Sequence, residues 1–276
     1  NRFHGGSLQI NFKFSPQVSW FNELTYKSRT GYYGERSSKT ITFYEHDATT
    51  FEYSGQLSVR RSGISHTLKV TAAYEDGTGD ENIYKMSGGS SDGNSVVEYF
   101  GSNEVTSRQT LQGGIVYTLN LGIRAFQPTW VLKAGGEFWN RNLRASVYPY
   151  YRKHSTTSSH AYLSGLRNIV GNRNMYSVRL EVGYGFGSGT MKNDGLYAEP
   201  SGNQESPKES EYCLNREFEY LTASRITAGG GFRYSRFFKK GLTGYVGIDY
   251  DFVKAFDVQY LGSTAGVFAL KIGCSF

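Results

Sequence analysis

Several things are scarce in this sequence, and each scarcity excludes something. No stretch approaches the run of about 18 consecutive apolar residues that a membrane-spanning helix requires, so if the chain crosses a bilayer it does so with strands. Two cysteines do not make a disulfide framework. Neither charge sign is in large excess: 30 Lys+Arg stand against 24 Asp+Glu, a net charge of +6. The basic residues are scattered rather than gathered in a block interleaved with aromatics, so no nucleic-acid partner is expected. There is no GxGxxG or Walker-type loop in a strand-to-helix setting and no Cys/His cluster, so neither cofactor nor metal is expected. No initiator Met and no basic, apolar leader opens the sequence, so any signal peptide is read as removed or upstream.

What is abundant points elsewhere. There are 34 Gly against 5 Pro, and an aromatic fraction of 16% is dominated by 22 Tyr and 18 Phe. Tyrosine, with an apolar ring and a polar tip, suits a membrane interface. The mean hydropathy of -0.48 suits a soluble protein. A barrel strand that alternates lipid-facing and lumen-facing residues has an equally low mean.

Period-two alternation runs along most of the chain. Leu8, Ile10, Phe12 and Phe14 alternate with Gln9, Asn11 and Lys13; after Ser15-Pro16 come Val18, Trp20, Leu24 and Tyr26. Phe51 to Arg60 and Ile64 to Glu75 flank an Arg61-Ser62-Gly63 turn. Leu111 to Ile123 and Trp130 to Phe138 flank Phe126-Gln127-Pro128, and the pattern blurs from Asn140 to Val170, with a Ser/Thr-rich tip expected near Thr156. Tyr176 to Phe186 alternates most clearly, followed by Ile226 to Tyr234, the Phe238-Lys239-Lys240-Gly241 turn, Val246 to Phe252, and Thr264 to Phe276. Polar stretches 28–49, 76–108 and 188–217 read as irregular or loop.

These are eleven candidate strands joined alternately by short turns and long loops. Outer-membrane barrels have short periplasmic turns and long extracellular loops. The expected fold is therefore all-β: a transmembrane antiparallel up-and-down β-barrel of about twelve strands, since such barrels normally have an even number. Residues 1–276 are expected to form one barrel domain, or the carboxy-terminal part of a longer chain. Cys274, on the lipid face, and Cys213, in a polar loop, then fall at opposite ends, and no bond between them is expected. A soluble β-sandwich or barrel is the alternative, and would bury the apolar face.

The inward face carries both charge signs, among them Lys69, Lys133, Glu137, Arg179, Glu181, Arg225, Arg233, Asp249, Asp251 and Lys271. A selective pore usually lines its constriction with one sign. Mixed signs suggest a cross-strand ion-pair network that fills a narrow lumen. A rim hydrolase would draw on His46-Asp47, His154 and His160, expected in or near outer loops; a phospholipase would need a serine beside the lipid-facing His66, and none has matching parity. Asp76 to Glu81 departs from calcium-loop spacing and reads as a turn.

The final strand, with Phe268, Leu270, Ile272 and the terminal Phe276 on one face, resembles the closing strand of bacterial outer-membrane barrels, where it is also the signal read by the barrel-assembly machinery. Taken over most of its length, the Tyr-rich alternation with sizeable polar loops looks like the uncharacterised outer-membrane β-barrels of Bacteroidota. That resemblance implies location in the outer membrane of a Gram-negative bacterium. It also implies contact with outer-membrane lipid and lipopolysaccharide, and an accessory or scaffold role beside a larger TonB-dependent transporter or secretion complex. No enzymatic activity is expected on this reading. Loops 76–108 and 188–217 are the expected partner surface, and a diffusion or substrate-specific channel is the alternative function.

Overall fold

Alternating apolar and polar residues place all apolar side chains of a strand on one face, and an antiparallel ladder lines those faces up from strand to strand. The computed structural model describes residues 2–36, 40–87, 96–122, 128–147, 149–196, 215, 218–238, 242–259 and 262–275. The described residues form β1 (Arg2–Lys13), β2 (Val18–Arg36), β3 (Thr40–Arg61), β4 (Ile64–Ser87), β5 (Val96–Leu121), β6 (Trp130–Val147), β7 (Tyr150–Val170), β8 (Asn174–Leu196), β9 (Arg225–Phe237), β10 (Thr243–Ala255) and β11 (Thr264–Ser275). They make a single antiparallel sheet in which spatial order equals sequence order. This is the up-and-down β-barrel class expected from the alternation. β1 and β11 are its two edges and, among the described residues, do not pair with each other.

One end of the sheet is closed by tight turns. Ser15 and Val18 join β1 to β2, Gly63 (φ 74°) turns β3 into β4, and Gly171 donates to the Asn174 carbonyl between β7 and β8. Gly122 adopts φ 64° after β5, a left-handed conformation that glycine takes without steric cost. Phe126-Gln127 and Lys239-Lys240-Gly241 lie outside the described residues.

Toward the other end the sequence reading and the structure differ. Most of 28–49 and 76–108 continues as paired strand, and β8 runs on to Leu196, well into the expected 188–217 loop. The ladder satisfies backbone groups whatever the side chains are, so Ser-, Thr- and Asp-rich segments extend once a neighbouring strand is in place. β2 to β8 therefore form a tall wall, up to 26 residues per strand, beside the 12 or 13 residues of β1 and β9 to β11. The Ser/Thr-rich tip expected near Thr156 is also corrected: Thr156 sits mid-strand in β7, opposite Arg141.

The apolar face is bare. Ile272 is 75% exposed, Leu180 67% and Leu163 62%, as part of a continuous belt that passes through Leu8, Phe51, Leu111 and Phe268. Aromatic groups sit near both borders of this belt: Trp130 and the Tyr176–Tyr234 pair toward the tight turns, Tyr26 against Phe51 and Tyr184 beside Phe186 toward the tall wall. The borders are separated by roughly the ten residues that a tilted strand needs to cross a bilayer. A soluble barrel would bury these residues and expose the charges.

Candidate functional site: the polar inner wall

The polar positions share the opposite face. One register row, passing from Gln9 through Glu23, Ser54, Thr71, Gly114, Glu137 and His160 to Gly185 and Arg225, follows it across nine strands. Two cavities open on this wall. One, of about 450 Å³, is lined by Glu23, Glu52, Lys69, Gln112, Glu137 and Trp139; the other, of about 590 Å³, by Arg179, Arg233, Asp249, Asp251 and Lys271.

The second cavity holds the core of the expected charge network. Arg179 on β8 reaches over β9 to Asp251 (2.8 Å) and Asp249 (3.6 Å) on β10, and approaches Glu181 at 3.7 Å. Asp249 also takes Lys271 of β11 at 2.6 Å. The reach is sterically open because the intervening strand presents Gly229 and Gly231, where a Cβ would collide with the two aspartates. Three strands, β8, β10 and β11, are thus tied through one chain of charges that spans β9.

Other members of the expected set lie elsewhere. Lys69 and Glu137 line the first cavity, and Lys133 shares the inward face at the register of Ser164. Arg233 stacks over the Tyr245 ring at 4.9 Å. Arg225 meets neutral oxygens: its Nη1 donates to the Tyr220 carbonyl (2.9 Å) and its Nη2 to Ser158 Oγ (3.3 Å). A further ion group centres on Glu75, whose alternation already turned it inward, between two arginines of the expected polar stretches, Arg29 (3.5 Å) and Arg108 (3.9 Å). Phe268, Leu270 and Ile272 project from β11 on the bare face, whereas Phe276 and Cys213 lie outside the described residues. Cys274 is exposed.

The feature that sequence reasoning missed is a helical turn over Phe218, Glu219, Tyr220, Leu221 and Thr222. Ala223 donates to the Glu219 carbonyl at 2.8 Å and Thr222 Oγ1 to the Phe218 carbonyl at 2.9 Å. The turn lies on the inner wall, not outside it. Beneath it β8 presents Gly183, Gly185, Gly187 and Gly189, a period-two stripe without side chains. A Cβ on Gly187 would strike the Leu221 carbonyl, and one on Gly189 the Phe218 ring and Thr222 methyl. Phe218 meets the His154 ring edge-on at 5.5 Å, and Leu143, Ala145, His154, Thr156 and Ser158 are buried beside it. The signal was the VGYGFGSG run: a wall stripped of side chains leaves room that something else fills.

The histidines are not in outer loops. His154 and His160 both belong to β7, His160 bonding Thr227 Oγ1 at 3.0 Å across the inner face. His66 faces outward near the tight turns and bonds the Tyr117 hydroxyl at 2.7 Å; the side chain of His46 lies outside the described residues. Asp76 to Glu81 is strand with a bulge at Gly77, and among the described residues no cluster suits a metal ion. At the rim, Arg144 Nε donates to Asp194 at 2.8 Å, and this hydrogen bond, with the positive charges of Lys153 and Lys192, holds the Asp194 carboxyl below the usual carboxylate range.

Two solved structures are similar to the chain in its arrangement of strands. One is the ferric citrate transporter FecA in its unliganded form, with a TM-score of 0.41 and 10% identity over 97% of this chain. The chain spans about half of that protein, 46% of its length. The other is the beta domain of the Bordetella autotransporter BrkA, with a TM-score of 0.36 and 11% identity, covering 93% of this chain and 90% of that one. No curated protein matches the sequence. The description "Family of unknown function (DUF6850)" matches residues 1–276, and the chain belongs to that family.

Proposed function

We propose that this member of the DUF6850 family is an outer-membrane β-barrel of a Gram-negative bacterium that serves, without catalysis, as an accessory or scaffold subunit of an outer-membrane complex. The observation that carries the reading is the division of its two faces: a bare apolar belt outside, and inside a wall crossed by the Arg179 ion chain and covered by the 218–222 turn. In hydrocarbon such a belt is solvated, while the charges need a wet or paired lumen. An inward turn and a cross-strand network both narrow that lumen.

The tall wall of β2 to β8 rises beyond the belt and is the surface on which a partner would dock, with a larger transporter or a secretion machine the reading's preferred partner. Lipid and lipopolysaccharide would contact the belt, and the barrel-assembly machinery the edge strand bearing Phe268, Leu270 and Ile272. A narrow channel is the second reading, favoured by the two polar cavities of about 450 and 590 Å³.

Single-channel recording of the folded protein in a planar bilayer separates the two. Silence, or rare small openings, supports the subunit reading. Steady ion-selective conductance overturns it in favour of a channel.

A further inference from the structure

The charges of this chain divide unequally between the two ends of the sheet. The five stretches that join strands at the tight-turn end, 10–20, 57–67, 119–132, 165–178 and 233–246, carry ten Lys and Arg and no Asp or Glu; all 24 acids lie elsewhere. Six of these cations are described, exposed and within three residues of a strand end at the turns: Lys13, Arg60, Arg61, Arg167, Arg173 and Arg236.

Toward the tall wall, cations find acids. Lys27 meets Glu52 at 2.6 Å, Arg29 meets Glu75 at 3.5 Å and Arg144 meets Asp194 at 2.8 Å. At the tight turns none of the six makes an ion pair among the described residues, and the neighbouring stretches of sequence hold no acid that could supply one. Like charges gathered in this way repel one another, so their counter-charge comes from outside the chain.

Three of the six stand on the apolar face. Arg61 lies opposite Ile64, Arg167 opposite Trp130, and Arg236 opposite Asn174, two residues past Tyr234. The Arg167 guanidinium rests over the Trp130 ring at 4.5 Å and that of Arg236 over the Phe238 ring at 5.8 Å. A guanidinium laid on a ring keeps the N–H donors along its edge free for an anion. Ile169 and Phe238, both exposed, extend the same face to the turns. Apolar surface and unpaired guanidinium groups are thus contiguous along this edge of the belt. That combination fits an amphiphile with an anionic head, its chains against the belt and its phosphodiester against the arginines. An acidic protein seated under the barrel would meet the turns and the inward Lys13 and Arg60, and would leave these outward side chains uncovered.

We infer that the tight-turn end is a binding surface for anionic phospholipid head groups, which Arg61, Arg167 and Arg236 contact at the edge of the belt. The inference rests on the membrane location in the proposed function and adds a recognition surface at the end opposite the tall wall.

The test reconstitutes the folded full chain in phosphatidylcholine vesicles and adds spin-labelled phosphatidylglycerol or spin-labelled phosphatidylcholine, the motionally restricted fraction giving their relative association. The inference expects phosphatidylglycerol to be preferred by about fivefold or more, which is what one basic side chain near an anionic surface contributes. Arg61→Gln, Arg167→Gln and Arg236→Gln together should abolish the preference. Arg61→Lys, Arg167→Lys and Arg236→Lys together should keep most of it, and Lys153→Gln with Lys192→Gln, on the tall wall, should keep all of it. Heat-modifiable gel mobility shows that each variant is folded. Equal association of both lipids with the parent overturns the inference in favour of an acidic partner beneath the barrel. Loss of the preference in millimolar inorganic phosphate at constant ionic strength overturns it in favour of a free-phosphate site. Flotation of the vesicles is read separately: protein that fails to float with them overturns the membrane reading itself, and the inference with it.

Discussion

Arg225 binds the backbone of Tyr220, five residues before it, through a 2.9 Å bond from Nη1 to the carbonyl oxygen, while its own strand carries it on the inner wall. Its guanidinium lies over Gly185 and it is only 6% exposed. One side chain thus pins the helical turn to the wall at the point where the chain re-enters the sheet.

Removing that pin should release the turn without opening the sheet. A hydrogen bond to a charged donor contributes about 1.5–3 kcal/mol, so Arg225→Ala is expected to destabilise by about that much. Limited proteolysis should move cleavage into residues 218–224 while heat-modifiable gel mobility persists. Arg225→Lys keeps the charge but loses the fork that serves Tyr220 and Ser158 together, and should restore little.

Gly187→Val addresses the same contact from the wall. Its Cβ would meet the Leu221 and Thr157 carbonyls, both backbone atoms that cannot swing away. Cleavage within 218–224 should again increase. Gly6→Ala, on a strand where nothing lies within 4 Å of the added carbon, should leave it unchanged. If the released variants also conduct where the parent is silent, the turn narrows the lumen.

The alternation of Tyr176 to Phe186 or Val246 to Phe252 made the strands legible, because a half-wet ladder forces period two on its side chains. Strand ends were not legible. Ser-, Thr- and Asp-rich segments such as 76–87 carry loop composition, yet pair because β3 already offers them a ladder. The Arg179 chain was foreseeable from inward parity, but the glycines at 229 and 231 that let it span β9 gain their meaning only from register. Arg225 shows the limit of a charge list: parity placed it inward, and only the fold gives it Tyr220 and Ser158 as partners instead of an acid.

The Arg179 chain should matter more to the lumen than to stability. Its side chains are partly exposed, 30% for Arg179, 57% for Asp251 and 21% for Asp249, and such solvated pairs are worth about 0–1 kcal/mol. Arg179→Ala is therefore expected to shift urea midpoints little. In any conducting preparation it should raise cation preference, because Asp249, Asp251 and Glu181 then face the lumen with one cation fewer. Reversal potentials in a salt gradient measure this.

The rim pair has a defined pH dependence. Arg144 and its neighbours lower the Asp194 carboxyl, so the folded state favours the ionised form more than the unfolded chain does. Its contribution is fully present above the unfolded carboxylate pKa of about 3.9 and is lost as pH falls through the lower folded value. Proteolytic or hydrogen-exchange protection of the outer part of β8 should hold from pH 7 to about 5 and drop only under stronger acid. In Asp194→Asn that acid-dependent step should be absent.

Leu180 and Glu181 are adjacent on β8 and face opposite ways, which makes them a direct test of what surrounds the sheet. Leu180 is 67% exposed within the belt, while Glu181 lies on the inner wall beside Arg179. In water, arginine at so exposed a position would cost almost nothing, since surface substitutions usually stay within about 0.5 kcal/mol. In a bilayer, arginine on the lipid face costs about 2–4 kcal/mol near the midplane. Leu180→Arg should therefore lower the yield of folded, membrane-inserted protein and its urea midpoint, whereas Glu181→Gln should change neither by much. Equal tolerance of both substitutions would mean that the belt is covered by something other than lipid.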